Sequence, residues 1–98
     1  MRFDAGQTDV PTAGTRVQFY NTNDKVLWAR FKAKSTNAGL AYVGVSDVSA
    51  TDGFALLSTD TVGLELDFRA KGGSILASTF YFDVATNGDD IQWALIIE

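Results

Sequence analysis

The stretch from Ala33 to Gly53, AKSTNAGLAYVGVSDVSATDG, decides the fold class. It reads as a strand end, an Asn-containing turn, an alternating strand, and a polar loop closed by Asp52-Gly53. The pattern returns in FYFDVATNGDDIQWALII, Phe80 to Ile97, where Thr86-Asn87-Gly88 stands between two apolar strands. Asn and Gly accept φ > 0 at low steric cost, so each cluster is able to reverse the chain tightly. Two hairpin-like units in 98 residues predict an all-β domain.

Outward from these units the period stays at two, the primary strand signal. Val17 and Phe19 share a face within Arg16 to Tyr20. Over Val26 to Lys34, Leu27, Ala29, Phe31 and Ala33 point one way, and Trp28, Arg30, Lys32 and Lys34 the other. Ala41, Val43 and Val45 are expected inward, and Phe54 to Leu57 is a short apolar run. From Val62 to Ala70, Val62, Leu64, Leu66, Phe68 and Ala70 oppose Gly63, Glu65, Asp67 and Arg69, and residues 71–74 turn the chain. Phe80, Phe82 and Val84, then Ile91, Trp93, Leu95 and Ile97, complete the expected core. No window repeats apolar residues at three and four. Seven to eight short strands at spacings near ten residues point to a single antiparallel β-sandwich, jelly-roll-like or immunoglobulin-like, over residues 16–98. Residues 1–15 lack alternation and hold the one proline, Pro11, so they read as an N-terminal arm or a loosely attached first turn.

Composition narrows the chemistry. With no cysteine, disulfides, thiol catalysis and cysteine-ligated metals are excluded, and with no histidine the commonest general base is gone. Serine chemistry has neither a histidine nor a G-x-S-x-G motif to serve it. Gly72-Gly73-Ser74 lacks the lysine and helix of a phosphate loop and reads as a turn. Asp47, Asp52, Asp89 and Asp90 lie in loops but not at calcium-loop spacing, so they read as turn residues. No catalytic, cofactor-binding or metal-ligating residue is assigned, and the expectation is a non-enzyme without cofactor.

Residues 1–20 hold no apolar run of signal-peptide length and no stretch reaches membrane-span length, so a soluble product with no membrane partner is expected. The net charge of −4 is uneven. Residues 1–34 carry six basic and three acidic side chains (+3), and residues 35–98 two basic and nine acidic (−7). Such asymmetry suits docking between protein surfaces and argues against nucleic acid as partner.

Two segments carry candidate contacts. Trp28 shares its face with Arg30 and Lys32; it is either an interface anchor, a partner of Arg30 in a cation–π pair, or a residue turned inward by a register break. In the last strand Ala94 and Ile96 make the second face apolar too, which means either a central strand covered on both sides or an intermolecular contact. Arg2 and Phe3 add the arm, because extended termini often order on a partner.

The order of segments resembles small β-sandwich virion proteins of tailed bacteriophages, which serve in capsid decoration or tail-associated roles. The residues that carry the resemblance are STNAG and AYVG within Ser35 to Gly44, VSATDGFALL at Val48 to Leu57, VGLELDF at Val62 to Phe68, and the ending from Phe80 to Ile97. The turn at Leu57 to Thr61 departs from the Pro-Gly type of many such sequences. The resemblance implies a virion structural protein assembled in the host cytoplasm. Its expected partners are the major capsid protein or other virion proteins, and it is expected to act as a homo-oligomer or in many copies on a lattice. The alternative is a tail- or fibre-associated carbohydrate- or receptor-binding module, with Trp28 or Tyr42 as a stacking platform.

Overall fold

A computed structural model describes residues 1–20, 22–69 and 72–98. Nine strands form two antiparallel sheets packed face to face: β1 (Arg2–Asp9), β2 (Val17–Gln18), β3 (Lys25–Ala33), β4 (Ala41–Gly44), β5 (Phe54–Leu56), β6 (Leu64–Asp67), β7 (Ile75–Leu76), β8 (Tyr81–Val84) and β9 (Asp90–Ile97). The larger sheet has the order β1-β9-β3-β6, with β7 beside β6 on the same edge of β3. The smaller sheet runs β2-β8-β4-β5.

The pairings nest: β1 with β9, β2 with β8, β3 with β6, β4 with β5. The chain is in effect one long hairpin, tipped by the β4–β5 loop and wrapped into two layers, with β7 as a short interruption. This nesting is that of a jelly roll, and the immunoglobulin-type arrangement is not adopted.

The expected β-sandwich is therefore present, with corrections in detail. The segment read as an arm contains β1, paired with β9 along its whole length. Its inward positions Arg2, Asp4, Gly6 and Thr8 oppose Ile97, Leu95, Trp93 and Ile91. Gly6 is required there, since a Cβ would sit 2.7 Å from Cζ2 of Trp93. In β3 the register slips between Val26 and Trp28, so Val26 rather than Leu27 is fully buried. β4 stops at Gly44, leaving Val45 half exposed, and Val48 from the following loop is fully buried against Gly44 and Gly53, outside the main core cluster. β6 is shorter than the alternation suggests, with Val62 exposed, and Ala70 and Lys71 lie outside the described residues.

Aromatic rings fill the space between the layers. Phe31 of β3 meets Phe19, Phe80 and Phe82 with ring centroids 5.1–5.5 Å apart in tilted or edge-on geometry, and Phe19 also meets Trp93 at 4.9 Å. Burying each such ring contributes about 1.5–3 kcal/mol.

The two Asn turns reverse the chain by different means. Gly88 takes φ of +81°, as a tight reversal requires, whereas Asn37 keeps a negative φ and works through its side chain. Its Oδ1 accepts from Asp90 N at 2.9 Å and its Nδ2 donates to Asp90 O at 2.8 Å. Asp89 answers by accepting from the backbone N of Ala38 and of Gly39. The two turns that mark the sequence are thus strapped to each other.

Candidate functional site

The outward face of the larger sheet gathers six of the seven candidate residues. Cross-strand register sets them in rows. Phe3 of β1 faces Ile96 of β9, which faces Trp28 of β3, which faces Asp67 of β6. The next row is Ala5, Ala94, Arg30 and Glu65. Below it stand Gln7, Gln92 and Lys32, and at the far end Asp9 and Asp90, with Lys34 Nζ 3.5 Å from Asp90 Oδ2. The face grades from apolar, through a cationic middle, to a charged end. Arg2 is the exception. Its register partner Ile97 is in the core, and its guanidinium donates to Asp24 Oδ2 at 3.0 Å at the opposite side of the sheet edge.

β9 is central in its sheet, and among the described residues its strand contacts are with β1 and β3 beside it. Ala94 and Ile96 are half-buried, and Phe3 is 68% exposed. An open depression of about 190 Å³ is lined by Arg30, Lys32, Gln92, Trp93 and Ala94.

Trp28 stays on this face, because the slip in β3 turns Val26 inward and leaves Trp28 outside. Arg30 lies over its ring, 5.8 Å from the centroid, so the cation–π pair is formed. Its indole Nε1 donates to Glu65 Oε2 at 2.7 Å. Glu65 therefore fixes the indole, and its other oxygen stands 3.7 Å from Arg30 Nη2. That separation is an exposed ion pair rather than a hydrogen bond, worth about 0–1 kcal/mol. The Nε of Arg30 is buried without a partner among the described residues. The guanidinium is thus held over an aromatic ring beside a carboxylate, with its Nε side turned into the sheet.

Sequence reasoning put Glu65 on an outward face but had no means of pairing it with Trp28 and Arg30. Ala5, Gln7 and Gln92 were likewise invisible as neighbours. At the margin, Asp67 accepts from Arg69 Nε and Nη2, both at 3.0 Å, and this pairing holds its carboxyl below the usual range. At the other end the Asp9 carboxyl is raised, first by a hydrogen bond with Asp90, then by burial and by repulsion from that same group.

Other candidates fall away. Tyr42 is buried, so it offers no stacking surface. The Asp89 carboxylate is taken by two backbone N–H groups, and among the described residues no three acidic side chains converge as metal ligands do. No helix among the described residues is long and apolar enough to cross a membrane. No protein-family model, curated protein or solved structure matches this chain.

Proposed function

We propose that the protein is a non-enzymatic structural component that docks through the outward face of its larger sheet onto a repeating protein surface. The observation that carries this reading is the row Phe3–Ile96–Trp28 beside Arg30 and Lys32, drawn from three strands onto one face that the chain itself leaves open. Aromatic and arginine side chains dominate interface energies, and a central apolar row with a charged margin is the usual anatomy of a protein contact. The side chain of Arg30 is partly exposed and its outer guanidinium nitrogens fit a partner carboxylate, whereas its Nε is buried out of a partner's reach.

The resemblance to small phage virion proteins supplies the partner. The reading is a capsid decoration protein, bound in many copies to the major capsid protein lattice of a tailed phage and so resident in the virion. Each copy would bury roughly 1,000–2,000 Å² in total, the range of specific interfaces. Binding the assembled shell in preference to free subunits stabilises it by mass action. The jelly roll is compatible with this role but hosts others, so the argument rests on the face and not on the fold. The carbohydrate-binding alternative has less support: Tyr42 is buried and Arg30 lies over the indole of Trp28.

The test is sedimentation of the purified protein with purified capsid shells. Co-sedimentation at a fixed ratio to capsid subunits, lost on Arg30→Glu, is the expected result. If the wild-type protein stays in the supernatant at saturating concentration, the lattice reading fails, and a glycan-binding screen addresses the alternative.

A further inference from the structure

The free edge of β1 is the feature that the docking face does not absorb. Among the described residues the other outer strands are short: β2 and β7 have two residues, β5 three and β6 four. Short edges resist pairing with other chains. β1 has eight residues, all of them exposed or half-exposed, and only β9 beside it.

Alternation of an antiparallel ladder shows which backbone groups point out. Val10 N donates to Asp89 O and Val10 O accepts from Gly88 N, so even-numbered residues turn their backbone toward β9. Phe3, Ala5, Gln7 and Asp9 therefore present N–H and C=O to the open edge. Of these N–H groups, that of Ala5 is capped by the Asp4 side chain at 3.0 Å.

The geometry points to a second copy of this chain as the strand that completes this edge. Two copies related by a two-fold axis pair antiparallel, and the registers that match outward-facing groups differ by two residues. With Ala5 opposite Phe3′, where a prime marks the second copy, Asp4 faces Asp4′ and the charges repel. With Ala5 opposite Ala5′ only two small methyl groups meet while Phe3 faces Gln7′, and with Gly6 at the axis Phe3 faces Asp9′; neither register gives Phe3 an apolar partner. With Arg2 at the axis Arg2 faces Arg2′ and the charges repel, and with Gln7 opposite Gln7′ Phe3 falls beyond Asp9′; the register that suits both faces of the strand places Phe3 opposite Phe3′. It sets Arg2 against Asp4′ twice, and Met1 against Ala5′ twice. Opposite charges meet on one side of the strand, added to the bonds Arg2 makes with Asp24 and Asp4 with Tyr20 inside each copy, and apolar side chains meet on the other. Met1 and Phe3, at 89% and 68%, are the most exposed of the large apolar side chains, and this register covers both. It also joins the two apolar rows into one strip, Trp28–Ile96–Phe3–Phe3′–Ile96′–Trp28′, across a continuous sheet.

This proposal concerns the protein alone and does not depend on capsid binding. Sedimentation velocity over a concentration series should show the mass rise from 10.6 kDa to twice that value. Ala5→Pro removes an N–H that β9 does not use, so the variant should fold by circular dichroism yet dimerise at least ten-fold more weakly. Because the chain has no cysteine, single replacements report the register. At the axis, Phe3→Cys places two Cα atoms about 5.5 Å apart, within disulfide reach. It should oxidise to a covalent dimer, and Ala5→Cys should not. A wild-type mass that stays monomeric overturns the proposal. So does a folded Ala5→Pro that dimerises normally, or cross-linking that is equal at both positions. If Ala5→Pro does not fold, the cysteine pair decides.

Discussion

The two outward faces of the sandwich have been treated differently by the same chain. On the smaller sheet, Tyr42 and Asp83 are register partners that point away from the core, yet both are buried. The segment after β1 is tied to this side of the sheet: Gly14 N donates to Asp83 Oδ1 at 2.9 Å, and Ala13 N to Asn87 Oδ1 at 2.7 Å. On the larger sheet nothing comparable lies over Ile96, Ala94 and Trp28 among the described residues. The contrast between an apolar row left open and an opposite face partly covered by its own chain is what the proposed docking reading rests on.

Both faces rest on one core, so the largest effect comes from removing what they share. Phe31→Ala deletes a fully buried ring of the larger sheet that packs on the aromatic residues in and beside β2 and β8 of the smaller one. It should cost about 3–5 kcal/mol, much of the stability of a domain this size. Urea denaturation measures it, and a loss under about 1 kcal/mol would mean the two layers are not coupled through Phe31.

The comparison sharpens when one residue is taken from each face. Trp28→Ala should leave the fold cooperative, with a stability change near the 0.5–1 kcal/mol scale of an exposed cation–π contact. Capsid binding should weaken by about 2–4 kcal/mol, the cost of losing an aromatic anchor. Unfolding of the isolated variant would show that Trp28 belongs to the structure and not to an interface. On the sealed face the pattern should reverse. Asp83→Ala strands the N–H groups of Gly14 and Val84, both of which now donate to Oδ1. A loss of about 1–3 kcal/mol follows for an unsatisfied buried donor, while shell binding by the remaining folded protein stays unchanged. Thermal melts and the sedimentation assay separate the two variants. Equal binding defects in both would erase the distinction between the faces.

The sequence made the sandwich legible because period-two alternation is a local signal and the core faces of β3, β8 and β9 obey it. It failed where a neighbour replaces the local requirement. β1 reads as a polar arm because the Trp93 ring occupies the space over Gly6 and its indole Nε1 donates to Thr8 Oγ1, so no large apolar side chain is needed there. Tyr42 and Asp83 sit at outward positions of their alternation yet are buried, and Asp83 is bonded by Gly14 of the segment that follows β1. For the docking face, the cationic stripe of β3 and the second apolar side of β9 were visible one strand at a time. That they are adjacent, and that Glu65 holds Trp28, depends on sheet order, which no single strand encodes.

The smallest effect lies at the charged end of the open face. Asp9 and Asp90 are direct partners across β1 and β9, and the contacts of Gln7 Nε2 at 3.0 Å and Lys34 Nζ at 3.5 Å go to Asp90. The Asp9 carboxyl is raised above its ordinary 3.8, so the fold favours its protonated form. Its contribution is complete below the unfolded-state value and is lost as pH rises through the folded one. Asp67, held low by Arg69, has the opposite sign: its contribution is present above the ordinary value and disappears on acidification. Asp9→Asn keeps a hydrogen-bonding group beside Asp90 but removes the charge. The variant should therefore melt slightly higher than wild type at neutral pH, and the gap should close as pH falls through the carboxylate range. Asp67→Asn should instead lower the neutral-pH melting temperature by a similarly small amount. Parallel wild-type and Asp9→Asn profiles across that range would show that β1 and β9 share no proton at this end, and the repulsion that sets the charged margin of the face would have to lie elsewhere.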